Sequence, residues 1–570
     1  MRITSRYLCV LAVFALMLTA CAADPVGDLD DGTADADTDA DSDIADDDDD
    51  DTDGDDADTG NDDDAGAEDD GDADSGGADG DRSITVASAQ ADEMDPTTYA
   101  TAAASAIMET FCWSLYVYDY DAELQPQLAA DLPEFSEDGL TVTIPLREDA
   151  LFNDGTELDA ESVIISLERH LEHEESNRAG EIEVITGMEA VDEHTVELTL
   201  EEPFAPLTAQ LSGPPGRIMS PAQLDEMGDD FADDPVCAGP FSFVDRPDQD
   251  VVIVEKSEHF WDADSVEIEE ITYQVIDDNA VAVNNLLAGE IDLAAVSPTN
   301  LGEVEGNDEF QVINSPGVGY QGLTINLGRV GEDNEIGDVD TPLAQEPLLR
   351  EALELAIDKE AINEIVYDGL HTPACSVISP EVPFWDAVPE CPERDVERAE
   401  ELIAEAGFDA PVEISLLTST DPDVQRVAEL IQSMAGEAGF EVSVDAMEST
   451  TAIDTAGEGD FDTWLIGFGS GPDPDAPLHR YHHSEGTTNY GIGVGPTDDE
   501  IDELLDATRA ETEEADRVEL LREPLELIAE RRSIIYLYHP SHNLGARSDL
   551  TGLDLKPNGN PEYDQVGFSG

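Results

Sequence analysis

The chain is 570 residues long, with 137 acidic against 23 basic residues and a formal net charge of −114. That imbalance argues against nucleic acid or an anionic lipid surface as a partner of the folded part, because both would be repelled. The length exceeds what a single hydrophobic core serves, so more than one is expected. Lysine occurs only at Lys256, Lys359 and Lys556. So acidic a surface repels itself, and molar salt screens such charges within about 3 Å, which points to work in a saline environment.

In chain order, Arg2 and Arg6 precede an almost wholly apolar run from Leu8 to Leu18. A basic start and an apolar stretch too short to span a bilayer describe an export signal over 1–20. The following Leu18-Thr19-Ala20-Cys21 resembles the bacterial lipobox, which implies lipidation of Cys21 and cleavage before it. Two or more acyl chains anchor stably where one does not. From Asp24 to Asp81 there are 29 acidic residues and no lysine or arginine. Such a segment cannot bury enough surface to offset its ordering entropy, so 21–82 reads as a disordered, self-repelling tether. Its aspartates follow no regular repeat, which favours a tether over a calcium-binding array.

Residues 83–570 contain no second apolar stretch long enough to cross a membrane, no internal repeat and no linker that divides them cleanly. The expected organisation is lobes between which the chain passes back and forth. Leu140, Val142, Ile144 and Leu146 alternate with polar residues after the Asp138-Gly139 turn, the pattern of a strand leaving a hairpin. Asp159 is placed to cap a helix with Val163, Ile164, Leu167 and Leu171 on one face. Val196, Leu198 and Leu200 make a further strand. Later the pattern becomes α/β. Asp395 opens a helix that Gly407 closes, Val412–Leu417 is a strand, and Asp421-Pro422 starts a helix that stops at Gly439. Phe440–Val444 and Phe461–Phe468 read as strands. Strand, helix, strand with short connections implies right-handed βαβ units and a partly parallel sheet.

These segments carry a resemblance. Phe152-Asn153-Asp154-Gly155-Thr156-Glu157-Leu158-Asp159-Ala160-Glu161-Ser162-Val163, continuing through Ser166-Leu167-Glu168-Arg169, is similar to a stretch of the family 5 extracellular solute-binding proteins, the oligopeptide, dipeptide and nickel-binding class of ABC importers. Asp234-Pro235-Val236-Cys237-Ala238-Gly239-Pro240-Phe241 resembles that family's turn before a strand. Glu255-Lys256, Phe260-Trp261, Leu287-Ala288-Gly289-Glu290-Ile291-Asp292, Ile325-Asn326, Leu349-Arg350-Glu351-Ala352 and Ala356-Ile357-Asp358-Lys359 continue in the family's order.

The resemblance implies an α/β, two-lobe periplasmic-binding-protein-like fold of the class with an extra subdomain, with mixed sheets and an interlobe ligand cleft. Lobe 1 would take 83–320, with the subdomain at about 125–230, and receive the chain back over 540–570; lobe 2 would take 321–539. The crossings near 320 and 540 would act as a hinge, and ligand would select the closed state. The implied function is capture of a peptide or similar small solute by a monomeric, lipid-anchored component at the outer face of the cytoplasmic membrane. It would pass the solute to ABC permease subunits with cytoplasmic ATPases, without a cofactor. A surface adhesin or structural lipoprotein, and an exported hydrolase, are the alternatives. No G-x-S-x-G or H-E-x-x-H is present, which speaks against the last.

Trp464 to Asp475 resembles the family's strand-to-loop motif, in which an aspartate of peptide binders pairs with the ligand's α-ammonium. Here Gly471 stands at that place, and one residue is missing before Pro472. Asp473 or Asp475 would have to substitute, although both also suit a turn. Tyr320, at the expected crossing, and Phe468, Gly469 and Trp385 are candidates to face or stack on a ligand. His479, His482 and His483 read as a solvated loop rather than a metal site, since adjacent histidines on a strand point apart. Cys112, Cys237, Cys375 and Cys391 lie in an exported body and suggest two disulfides. The close pair Cys375–Cys391 leaves Cys112–Cys237, and such loops stabilise by about 3 and about 4–5 kcal/mol in the chain-entropy model.

Overall fold

The computed structural model describes residues 82–331, 336–486, 488–493 and 496–569. The expected export signal, the expected lipidation site Cys21 and nearly all of the expected tether lie outside the described residues. Local signals in the sequence set the elements where they were expected. Asp159 accepts from the Ser162 N–H at 2.9 Å, and Ser162 Oγ accepts in return from the Asp159 N–H, a capping box that starts the Ala160–Glu172 helix. Asp395 and Asp421 cap Val396–Glu405 and Pro422–Glu437 by accepting from backbone N–H groups of the first turn, without the reciprocal bond. Gly407 and Gly439, with φ of +84° and +101°, terminate them in a conformation that side chains resist. The strands Val412–Ser419 and Phe440–Met447 run two or three residues longer than their apolar cores suggest.

Three sheets of four or more strands follow among the described residues, each with its own core, beside two two-stranded ones. The first has seven strands in the order Phe310–Pro316, Ser541–Arg547, Leu293–Ala295, Ser83–Ser88, Glu270–Val275, Val251–Lys256 and Phe241–Asp248. Ser83–Ser88 pairs in parallel with both neighbours, and the remaining pairs are antiparallel. The second has six strands: Thr372–Pro373, Ile534–His539, Tyr320–Ile325, Thr463–Phe468, Val412–Ser419 and Phe440–Met447. Its last three strands are mutually parallel, as the βαβ pattern requires. The third, antiparallel throughout, comprises Glu134–Phe135, Thr141–Pro145, Thr195–Leu200 and Ile185–Asp192, with the Ala160–Glu172 helix packed on it. Disulfides join Cys112 to Cys237 and Cys375 to Cys391. The first closes the base of the segment that carries the third sheet.

The chain passes between the first two sheets twice. Phe310–Pro316 leads through Gly317-Val318-Gly319 into Tyr320–Ile325, and Ile534–His539 leads through Pro540 into Ser541–Arg547. The crossings lie side by side: the Gly317 N–H donates to the Pro540 carbonyl at 3.0 Å, and His539 Nδ1 meets the Gly319 carbonyl at 2.8 Å. A Cβ on Gly317 would stand 2.4 Å from the Pro540 oxygen, so this approach requires glycine.

Candidate functional site

A cavity of about 260 Å³ opens beside the crossings. One wall comes from the helix Ala102–Phe111 through Ser105 and Glu109, from Val117 and Tyr118, and from the turn that carries Gln210, Gly213 and Arg217. The opposite wall is Val318 with the loop Ser470-Gly471-Pro472-Asp473, which follows the strand Thr463–Phe468. Lys556 and Asn558, on the returning tail, complete the rim. Residues on both sides of the crossings therefore face one space.

Charge in this space is mostly paired. Asp473 receives both terminal nitrogens of Arg517, at 2.6 and 2.8 Å. Behind it Asp475 is held by Arg509 at 2.7 and 3.1 Å, and burial pushes the Asp475 carboxyl up despite that partner. Lys556 reaches Glu109 at 3.3 Å, and Asn558 and Asn560 donate to the same carboxylate at 3.1 and 2.6 Å. Burial alone would raise the Glu109 carboxyl, but Lys556 and Arg217, with the Asn560 hydrogen bond, outweigh it and hold it below the ordinary range. Burial, with the Asp473 charge next, keeps the Tyr118 phenol neutral.

Arg217 differs from these. Its residue surface is 3 % exposed, and it forms no ion pair among the described residues. Nη2 donates to the Ser105 carbonyl at 2.9 Å and to Ser105 Oγ at 3.2 Å, whereas Nε and Nη1 have no acceptor. The Tyr99 ring lies 5.5 Å from the guanidinium. The sequence reading missed Arg217. The available signal was the scarcity of cations, which makes an arginine after Gly213-Pro214-Pro215-Gly216 conspicuous.

Several expected site residues need correcting. Tyr320 is 1 % exposed, because its strand is central in the second sheet and Phe468, Tyr481 and Tyr536 close around its ring at 6.1, 5.4 and 5.0 Å. It offers no face to a ligand here. Phe468 is half-buried against Tyr481 and Tyr490, and Trp385 is half-buried in the short turn Pro383–Ala387; neither is among the cavity's lining residues. Gly469 is exposed beside the cavity, and its carbonyl accepts from the Tyr481 hydroxyl at 2.8 Å. Of the expected set only Asp473 lines the cavity, already engaged by arginine.

The histidines are not a solvated loop. His479, His482 and His483 sit at the end of the helix Asp475–His482, with His482 and His483 buried. His482 accepts from Arg531 at Nδ1 (3.1 Å) and meets the Tyr536 hydroxyl at Nε2 (2.6 Å). His483 turns away and stacks on His479, one helical turn earlier, with Asp506 close to both. The Glu485 N–H donates to His483 Nδ1 at 3.1 Å. His483 Nε2 lies 3.5 Å from Asp506 and 3.8 Å from Asp502, with no hydrogen-bond partner among the described residues.

The sequence matches the family described as bacterial extracellular solute-binding proteins, family 5 Middle, over residues 123–489. The chain belongs to this family. It is 29% identical over 370 residues to the glutathione-binding protein GsiB of Pectobacterium atrosepticum, an alignment covering 64% of this chain and 69% of that protein. With GsiB of Escherichia coli strain K12 it is 28% identical over 375 residues, covering 64% and 70%. Similar folds include the substrate-binding protein CtaP of Listeria monocytogenes, with TM-score 0.76, 20% identity and coverage of 86% and 99%. Another is DppA of Helicobacter pylori in complex with the peptide STSA, with TM-score 0.69, 21% identity and coverage of 86% and 98%. The fold is thus the α/β fold of periplasmic binding proteins. Family 5 proteins bind peptides or related solutes for ABC importers, and the relatives are solute-binding proteins rather than enzymes. Among the described residues no helix is long and apolar enough to cross a membrane.

Proposed function

We propose that the protein is the lipid-anchored, monomeric solute-binding component of an ABC importer, tethered through Cys21 and the acidic segment to the outer face of the cytoplasmic membrane. It captures a peptide or similar small solute between lobe 1 (83–320 with 540–570) and lobe 2 (321–539) and delivers it to the permeases. The observation that carries this reading is the position of the cavity: its walls come from both sides of the paired crossings, so rotation about Gly317–Gly319 and Pro540 opens or shuts it. Glutathione and short peptides are the first solutes to test, given the sequence relatives.

The test is small-angle scattering of the purified protein with the solute identified by mass spectrometry of material retained through native purification. A smaller radius of gyration on binding is expected, because ligand selects the closed arrangement. Tight binding with an unchanged radius sinks the closing mechanism. Cys21→Ser should leave the protein unlipidated and released from cells, and equal palmitate incorporation in both forms sinks the anchor.

A further inference from the structure

Away from the cavity, the helices Asp475–His482 and Pro496–Arg509 pack together with a set of nitrogen and oxygen donors between them. The sequence gives two histidines and two aspartates the same four-residue spacing: His479 with His483, and Asp502 with Asp506. On a helix that spacing brings both members of a pair to one face. His483 directly follows the last helical residue, and its ring stacks on that of His479 with centroids 4.0 Å apart. One donor atom from each of His479, His483 and Asp506 falls within 4.8 Å of the other two.

The state of His483 sets this cluster apart from the many carboxylates elsewhere on the chain. The residue is 5 % exposed, and its Nε2 is enclosed without a hydrogen-bond partner among the described residues. A buried polar atom left in that condition is costly. It points between two carboxylates, 3.5 Å from Asp506 and 3.8 Å from Asp502, and the second of these is itself fixed by the Ser484 N–H at 2.9 Å. Donors bound to one tetrahedral zinc ion stand about 3.4 Å apart, so the His483–Asp506 separation already fits and His479 has only a short distance to close. Burial, with the Arg509 charge next, pushes the His479 pKa down to about 3, which keeps the ring in the neutral form that ligates a metal. That arginine is in turn neutralised by Asp475. The Asp506 side chain, 61 % exposed, opens the cluster to solvent.

One contact changes when a metal binds. The Glu485 N–H donates to His483 Nδ1 at 3.1 Å. Ligation through Nε2 moves the ring's proton to Nδ1, and the Glu485 N–H, on an exposed residue, turns to water. One hydrogen bond near the surface is exchanged for a set of metal bonds.

We infer that His479, His483 and Asp506, with Asp502 as the fourth donor, bind one divalent cation of the zinc class. Mixed imidazole and carboxylate donors favour such an ion over magnesium and calcium, which take oxygen donors. The ion fastens the end of the helix Asp475–His482, which begins two residues after Asp473 of the cavity wall, to the helix that carries Arg509.

Titration calorimetry of chelator-treated protein with zinc tests this, in about 1 M salt so that surface carboxylates are screened, with magnesium and calcium as controls. One zinc ion should bind with micromolar or tighter affinity, and neither control should displace it. Cobalt in its place should show the intense visible absorption of a four-coordinate site, which surface carboxylates do not produce. His479→Gln and Asp506→Ala, at positions that are not fully buried, should melt like the unmodified protein without metal and bind zinc at least about 10-fold more weakly. Zinc should raise the Tm of the unmodified protein and leave that of His479→Gln unchanged. Zinc binding that both variants retain, or zinc held no more tightly than magnesium, overturns the inference. Neither result bears on the solute-binding reading, because none of the four residues lines the cavity.

Discussion

Burial lowers the proton affinity of several histidines. His170 lies fully enclosed behind Arg217, with Nδ1 against Thr97 Oγ1 at 3.1 Å, and burial pushes its pKa down to about 3, with the neighbouring arginines acting the same way. His371 and His539 are lowered to about 4, also by burial. An unfolded histidine titrates near 6.5. The unfolded chain therefore binds protons that the folded state refuses, so stability is full above about pH 6.5 and is lost as pH falls toward the folded values. Thermal melts should show a falling Tm between about pH 7 and pH 5, before most carboxylates titrate, and His170→Gln should flatten part of that slope. A Tm constant over this window contradicts neutral burial of these rings. At this scale the sequence was an uneven guide. The cysteines were readable because only four remain in the body. Tyr320 was not, because an aromatic residue at a crossing and one in a sheet core have the same local pattern. Only the packing of Tyr481 and Tyr536, far along the chain, distinguishes them.

Elements were more legible than sites because their signals are local. Asp395, Asp421 and Asp159 cap helices through N–H groups within three residues, and such caps contribute about 1 kcal/mol each. The partners of Asp473 and Asp475 sit on the helices Glu514–Arg531 and Pro496–Arg509, a relation that no spacing rule encodes. The two crossings show the same contrast. A Cβ on Gly317 would press on Pro540, more than two hundred residues away in sequence, whereas a Cβ on Gly471 would meet nothing within 4 Å. Gly317→Ala should therefore destabilise by about 1–3 kcal/mol, the usual cost of forced overpacking, and Gly471→Ala should leave Tm within error. Calorimetric or optical melts of the two variants decide this, and equal effects would remove the argument for a tightly apposed pair of crossings.

At the scale of the whole molecule, charge repulsion opposes compactness. With 137 acidic and 23 basic residues, stability should rise markedly from low to about 1 M salt, as screening shortens the reach of each repulsion. A Tm that does not respond to salt would refute adaptation to a saline environment. The parallel strands of the second sheet were foreseeable from the βαβ pattern after residue 395. The placement of the third sheet's own core was foreseeable only from resemblance.

The strand Ser541–Arg547 is inserted between Phe310–Pro316 and Leu293–Ala295, and that position governs the order of assembly. Two strands made earlier in the chain lack this partner until a segment more than two hundred residues later in sequence has been made. Until it arrives the first sheet is split, and its exposed edges are templates for mispairing with other chains. Contacts this distant in sequence form slowly. A sheet whose central pairing depends on so late a strand leaves its earlier strands uncommitted for most of the chain's synthesis.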